Sequence, residues 1–316
     1  MSRYLYFAIF LGVVIAVLGG THWYIHARLV RDTGLAPPQA RIFKWVILLL
    51  GVSIFASFPL SRLLDPPVGR WVLLIPYVWM ASMFYLVVLL GLVDLVRLVL
   101  WVAGKASGTA PLAGMGRAAF ARAVAVSVLA VVGIVDTIAV LTALREPAVR
   151  KIDVALEGLD PRLDGLRLVQ LTDIHLGPFL GRKYFDDVLE KVESLRPDIL
   201  VVTGDVVDGP AERRAVMVEG LGRVKPPLGK YMVTGNHEFY SDWPEWEPVY
   251  MRLGLELLDN RCRIVERAGA RLVLAGVYDF DGGRFRPEWE PSVEAALADC
   301  GGRADVLLSH QARIIG

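Results

Sequence analysis

The stretch LTDIHLGPF at residues 171–179 decides the fold, because an apolar run ends there in an acid and an imidazole. The run LRLVQLTD (166–173) is typical of a buried β-strand, and Asp173 and His175 lie at its carboxyl end. Side chains at positions i and i+2 of an extended segment point the same way. The sequence therefore predicts that Asp173 and His175 can bind one ion together.

The same arrangement recurs along the second half of the chain. Three later apolar runs end in polar side chains: DILVVTGD (198–205) in Asp205 and then Asp208, GKYMVTGNHE (229–238) in Asn236 and His237, and ADVLLSH (304–310) in His310. Helical patterns at 182–195 and 211–223 lie between the runs. Alternating strands and helices predict an α/β domain with a partly parallel sheet. In such sheets ligands bind beyond the carboxyl ends of the strands.

Each of these short motifs occurs by chance when it is taken alone. Jointly they are specific, because the only three histidines after residue 150 all follow apolar runs and stand beside suitable partners. Carboxylate, amide and imidazole donors suit Mn, Fe or Zn rather than a soft thiolate site. The pattern predicts a divalent-metal site.

The first half of the chain has the composition of a membrane domain. Four apolar stretches, at 4–20, 42–60, 71–101 and 122–144, are the predicted transmembrane helices of a domain at 1–148. A helix needs roughly 20 apolar residues to cross a bilayer core. The alternative, a buried helical core in a soluble protein, is disfavoured by these lengths. The second predicted domain covers 149–316.

Charge divides the chain in the same place. Residues 1–150 carry thirteen Lys and Arg against five acids, and the remainder carries 21 against 28. A net negative second half argues against nonspecific nucleic-acid binding, which needs a basic surface.

Cys262 and Cys300 show no C-x-x-C spacing, so we expect two ordinary thiols and no disulfide.

Basic residues also bear on orientation. The loops after the first and third predicted spans carry eight Lys and Arg, and the opposite side carries six. By the positive-inside rule this places the second domain on the periplasmic or extracellular face.

Asp94 and Arg97 lie three residues apart in the third span, where charges are either functional or paired with each other. A channel or transporter is the less favoured interpretation of these charges.

The motifs TDIH, GDVVD, GNHE and LLSHQ, in this order, resemble the calcineurin-like metallophosphoesterase superfamily. The resemblance covers about residues 150–316 and implies a four-layer α-β-β-α sandwich. The resemblance implies five metal ligands: Asp173 and His175 hold the first metal, Asn236 and His310 hold the second, and Asp205 bridges both. It also implies two catalytic residues, His237, which contacts the phosphate, and Asp208, which supports His237. The implied reaction is hydrolysis of a phosphomonoester, phosphodiester or pyrophosphate by metal-activated water.

The membrane domain is similar to that of the multi-pass bacterial branch, whose members resemble UDP-2,3-diacylglucosamine pyrophosphatases. A lipid-linked or nucleotide-sugar substrate at the bacterial inner or plasma membrane would fit. The family's last motif, G-H-x-H, does not occur before Gly316, so we expect a C-terminally truncated sandwich with weak metal binding and slow hydrolysis. The alternative is a degenerate, non-catalytic membrane protein whose phosphoesterase-like domain binds a ligand or partner.

Overall fold

The chain forms two compact units in a computed structural model that describes residues 3–107, 116–145 and 147–315. The helical unit comprises Met1–Leu63 and Trp71–Arg145. The α/β unit comprises Glu146–Gly316 together with Leu64–Arg70, a short segment that follows one long helix and enters the next. The α/β unit therefore takes part of its chain from the first half of the sequence.

Four long apolar helices make up the helical unit. They are α1 (Arg3–His26), which continues as a π-helical turn at Ala27–Arg31, α2 (Pro37–Leu63), α3 (Val68–Ser107) and α4 (Arg117–Ala143). All four are long and apolar enough to cross a membrane. Large apolar side chains such as Phe58 and Trp71 are exposed by 69% and 67%, as in helices that face lipid. The four predicted apolar helices are thus present, with longer bounds than the sequence indicated.

Asp94, a charged side chain within this unit, has several partners. Asp94 accepts a hydrogen bond from the Tyr24 hydroxyl at 2.6 Å and pairs with Arg28 at 2.9 Å. Arg97 lies 3.8 Å from the same carboxylate, so the predicted Asp94–Arg97 contact is present but is the longer of the two ion pairs. The carboxylate joins three side chains of the helical unit, as a structural role requires.

A parallel four-stranded sheet organises the α/β unit. Its strands are β1 (Leu168–Leu171), β2 (Ile199–Val202), β3 (Lys230–Met232) and β4 (Glu256–Leu257), in the order β1-β2-β3-β4. The helices between and after them are α5 (Arg182–Ser194), α6 (Ala211–Val218), α7 (Asn236–Tyr240) and α8 (Trp243–Arg252). Leu200, Val202 and Met232 face the core that these helices cover. All four strands run parallel, so their carboxyl ends share one edge.

A second sheet packs on the other face of the first. In it β5 (Arg261–Arg267) pairs antiparallel with β6 (Ala270–Gly276), which pairs parallel with β7 (Val306–Leu308). Short helices α9 (Gly282–Phe285) and α10 (Val293–Leu297) lie between β6 and β7 in the chain. The core between the sheets joins Ile199 and Val201 of the first to Leu272 and Leu274 of the second. The result is an α/β domain of the layered kind that the sequence predicted.

Cys262 and Cys300 form a disulfide, which the sequence prediction of two thiols missed. Their Cα atoms are 6.3 Å apart although 38 residues separate them in the chain. Cys262 lies on β5 and Cys300 ends the 3₁₀ turn Ala298–Cys300, and the sheet brings these elements together. The pairing depends on the tertiary fold, so no sequence spacing could have indicated it.

Two segments near the first sheet place side chains in the interior. The stretch YSDWPEWEP (240–248) enters α8, whose Trp243 and Trp246 are each 1% exposed. Asp279 and Asp281, in the turn after β6, are 0% and 8% exposed. Gln311 donates to both carboxylate oxygens of Asp279, at 3.1 and 2.9 Å. These two hydrogen bonds offset the cost of burying the Asp279 carboxylate.

Candidate metal centre

The loops at the carboxyl edge of the first sheet adopt a conformation that few side chains tolerate. Asp173, His175 and Asp205 have positive φ values of 54°, 48° and 55°. Left-handed backbone at non-glycine residues is uncommon and collects at functional sites. The expectation that Asp173 and His175 share a face of an extended strand is therefore wrong, since β1 ends at Leu171. The two side chains still converge, with His175 Nε2 3.9 Å from Asp173 Oδ1.

Two glycines allow the loops after β2 and β3 to touch. Gly204 has φ +87°, and a Cβ there would lie 2.2 Å from the Gly235 nitrogen. A Cβ on Gly235 would lie 2.2 Å from Asp205 Oδ1. Any side chain at either position would push the loops apart. The G-D and G-N pairs of the sequence are thus requirements of close backbone approach.

Asp205 lies at the centre of the cluster. Its side chain is 5% exposed, and its Oδ2 is 3.5 Å from His175 Nε2 and 3.4 Å from His310 Nε2. Its Oδ1 accepts a hydrogen bond of 2.9 Å from the His237 backbone N–H. One carboxylate therefore lies between two imidazoles, with its second oxygen fixed by the backbone.

Each imidazole is oriented through its Nδ1. Asp208 Oδ1 lies 2.6 Å from His237 Nδ1 and 3.2 Å from His175 Nδ1. His310 Nδ1 lies 2.8 Å from the Thr203 carbonyl oxygen, to which it donates. When Nδ1 is held in this way, Nε2 is the nitrogen that remains for a metal ion or substrate. The Nε2 atoms of His175 and His310 accordingly face Asp205.

Electrostatics hold the acids of the cluster in the charged form. Burial raises the pKa of Asp208, but hydrogen bonds from His175 and His237 outweigh it and hold the pKa below its usual range. Burial also raises the pKa of Asp205, but the contacts with His310 and His237 together outweigh it and lower the pKa. The Asp208 hydrogen bond raises the pKa of both His175 and His237. Burial lowers the pKa of His310, but Asp205 raises it to about 9. The carboxylates are thus in the state that metal coordination requires.

The donor atoms form two groups, each compact enough for one metal ion. His175, Asp205 and His237 form one, and Asp173, Asp205 and His310 form the other, with all donor atoms of a group within 4.8 Å of one another. Asp205 belongs to both. Nitrogen and oxygen donors at this spacing fit divalent transition metals, so the residues suit the predicted pair of cations. Asn236, the remaining predicted ligand, begins α7 beside them and is half-buried.

Glu238 is a positioning residue that sequence reasoning missed. Its side chain is buried and accepts three backbone hydrogen bonds, from Asp205 at 2.8 Å, Val206 at 2.9 Å and Gly235 at 2.8 Å. It thereby ties the loop after β2 to the loop after β3. Burial raises the pKa of Glu238, and the three N–H donors oppose that rise. Its place in the GNHE motif was the available signal.

A comparison with known families matches the part of the chain that carries these features. Residues 166–313 match the model of the family described as calcineurin-like phosphoesterase. The matched range contains all seven predicted site residues. The chain therefore carries a domain of this family behind four apolar helices.

Similar proteins include two whose names give both a transmembrane part and a metallophosphoesterase domain. A zebrafish protein, named transmembrane protein with metallophosphoesterase domain, is 32% identical over 87% of this chain and 63% of its own length. A bovine protein of the same name is 35% identical over 72% of this chain and 52% of its own. An uncharacterized metallophosphoesterase of Campylobacter jejuni is 27% identical over 96% of this chain and 78% of its own length. This chain thus spans about half to two thirds of the two vertebrate relatives.

Proposed function

We propose that the protein is a membrane-anchored phosphoesterase that hydrolyses a phosphomonoester, phosphodiester or pyrophosphate bond. The observation that carries the proposal is the position of Asp205, whose Oδ2 lies within 3.5 Å of two imidazole nitrogens on different loops. A carboxylate between two sets of N and O donors is the arrangement needed to bridge a pair of cations.

The proposed metal ligands are those that the family resemblance implies. Asp173 and His175 would hold one cation, Asn236 and His310 would hold the other, and Asp205 would contact both. The compact donor groups support the shared role of Asp205 but divide the other residues differently, since they join His175 to His237 and Asp173 to His310. Mn, Fe and Zn all suit these donors. When bound, such cations polarise phosphoryl oxygens and lower the pKa of water, which supplies the nucleophile.

His237 and Asp208 are the proposed proton-handling pair. Asp208 fixes the His237 ring through Nδ1 at 2.6 Å and raises the pKa of the imidazole, which favours its protonated form. A protonated imidazole can bind a phosphoryl oxygen and then donate its proton to the leaving oxygen. His237 also falls into one of the compact donor groups, so its substitution by Ala tests the ligand role and the acid role together.

A lipid-linked or nucleotide-sugar phosphate ester is the proposed substrate class, as for the UDP-2,3-diacylglucosamine pyrophosphatases that the sequence resembles. The four apolar helices support this choice, because they would hold the site near lipid substrates. We propose two domains, 1–148 in the membrane and 149–316 outside it.

The outer face of a bacterial inner or plasma membrane is the proposed location of the α/β unit. The Cys262–Cys300 disulfide supports it, because disulfides persist in oxidising compartments. The excess of basic residues in the opposite loops agrees. Alkaline phosphatase fused after Arg150 should be active. If the fused phosphatase is inactive and a fluorescent cytoplasmic reporter at the same point is fluorescent, the α/β unit lies on the cytoplasmic side instead.

Hydrolysis assays test the function directly. Purified protein in detergent should cleave bis-p-nitrophenyl phosphate or p-nitrophenyl phosphate with added Mn²⁺, lose the activity to EDTA and lose it in Asp205→Asn. UDP-sugars and lipid pyrophosphates then rank the substrate classes. Hydrolysis that survives both EDTA and Asp205→Asn would contradict the proposal, and no metal-dependent hydrolysis of any ester would favour a non-catalytic binding domain.

A further inference from the structure

The segment Leu64–Arg70, which covers the turn after α2 and the first residues of α3, contacts two loops of the metal centre. It belongs to the α/β unit although it lies about 80 residues before the rest of that unit in the sequence. Arg70 Nε donates to the Phe179 carbonyl at 2.9 Å, and a Cβ on Gly181 would lie 3.0 Å from Pro66. The loop that begins at His175 is thus packed against this segment.

The second contact is an ion pair inside the domain. Arg214, on α6, is 1% exposed, and its Nε donates to Asp65 Oδ1 at 3.0 Å. Its Nη2 donates to the Leu64 carbonyl at 3.2 Å. A buried guanidinium requires such partners, because an uncompensated buried charge is strongly unfavourable. Asp65 supplies the negative charge in this arrangement.

The same guanidinium holds the metal centre. Arg214 Nη1 donates to the backbone carbonyl of Asp208, the residue whose carboxylate orients His175 and His237. Gly209, next in the chain, has φ +119°, and a Cβ there would lie 2.6 Å from Arg214 Nη1. The backbone at 208–209 is therefore shaped around the guanidinium. A continuous set of contacts runs from Asp65 through Arg214 to Asp208 and both imidazoles.

We propose that Asp65 is a positioning residue of the metal centre, acting through Arg214 on Asp208. Loss of its charge would let Arg214 shift and move the Asp208 carboxylate relative to His175 and His237. Asp208 is the partner one step beyond the ligand His175, and mutation of such partners typically changes metal affinity or activity by about 10- to 100-fold. Asp65 acts on Asp208 through Arg214, so we expect an effect at the lower end of this range. The segment Leu64–Arg70 thus helps to position the metal centre and is not only a connection. This inference rests on the proposed metal site.

The test uses the full chain in detergent and two substitutions, Asp65→Asn and Asp65→Ala. We expect Asp65→Ala to raise the Mn²⁺ dissociation constant and lower kcat by roughly 10-fold or more, with Asp65→Asn intermediate because it keeps an acceptor oxygen. KM for p-nitrophenyl esters should stay close to that of the wild type, because Asp65 does not contact the substrate site.

Asp186→Asn is the matched control. Asp186 is as exposed as Asp65, 31% against 30% at the side chain, and pairs with two arginines, Arg182 at 3.6 Å and Arg223 at 2.6 Å. Both arginines lie outside the loops that carry the proposed metal ligands, because Arg182 begins α5 and Arg223 follows the turn Glu219–Gly222. We expect Asp186→Asn to leave Mn²⁺ affinity and kcat unchanged.

A double-substitution cycle separates positioning from general destabilisation. If Asp65 acts through Asp208, Asp65→Asn should change Mn²⁺ affinity far less in an Asp208→Asn background than in the wild type. Equal losses in both backgrounds, or wild-type affinity in both Asp65 variants, would overturn the inference. Mn²⁺ binding without any ester hydrolysis would defeat the proposed function and still leave this cycle to decide the role of Asp65.

Discussion

Glu238→Gln gives the sharpest prediction about how the metal centre is held. In the wild type Glu238 Oε2 accepts the Asp205 and Gly235 N–H groups, and Oε1 accepts that of Val206. A glutamine can keep its oxygen at the Oε2 position and retain two of these bonds. Its NH₂ group then faces the Val206 N–H, so two donors oppose each other in a buried site.

The cost follows from the bonds that change. One hydrogen bond to a charged acceptor is lost, at about 1.5–3 kcal/mol, and one buried N–H is left without a partner, at about 1–3 kcal/mol. Removal of a buried charge offsets part of this sum. We therefore expect a loss of about 2–4 kcal/mol in the free energy of unfolding of the α/β unit.

Denaturant unfolding of the purified protein in detergent, followed by fluorescence, measures this loss. Trp243 and Trp246 lie in the core of the α/β unit and report its unfolding. Asp198→Asn is the control, because Asp198 also accepts a backbone N–H, from Arg167 at 2.8 Å, but at an exposed site. The control should cost less than about 1 kcal/mol. Equal losses in both variants would refute the reasoning.

Two further predictions concern stability of the same unit. Burial raises the pKa of Asp259 to about 8 from 3.8, so the folded state holds a proton that the unfolded state releases, and stability falls as pH rises from about 4 to 8. The variant Asp259→Asn keeps the acceptor for the Thr234 N–H. It should be more stable than the wild type, and the difference in the free energy of unfolding should grow across this pH range to on the order of 5 kcal/mol at pH 8. A difference that does not change with pH would contradict this prediction. The Cys262–Cys300 disulfide closes a loop of 38 residues, so Cys300→Ser should lower the free energy of unfolding by about 4 kcal/mol. The wild type in reductant should be as stable as this variant. If reductant destabilises the variant further, the pairing is wrong.

The sequence predicted the parts of the site that follow from strand ends. Apolar runs that stop at Asp173, Asp205 and His310 could be recognised, because the carboxyl ends of neighbouring strands meet at one edge. The left-handed backbone at Asp173 and His175 could not, since nothing in the residue types marks it. The local pattern thus indicated which side chains gather but not how the backbone brings them together.

Contacts between distant parts of the chain were beyond sequence reasoning. Asp65 and Arg214 are 149 residues apart, and Asp65 reads as an ordinary loop acid between two apolar stretches. Cys262 and Cys300 meet only because β5 pairs within the second sheet. Pairings of this kind depend on the tertiary fold, which a single sequence does not display.

Equilibrium titration of the wild type and Asp205→Asn with Mn²⁺, with the free ion measured by electron paramagnetic resonance, tests the shared carboxylate most directly. The account predicts two bound ions per wild-type chain and weakened binding of both ions in the variant, because Asp205 belongs to both donor groups. One ion per wild-type chain, or a variant that keeps one site at unchanged affinity, would contradict the two-cation centre.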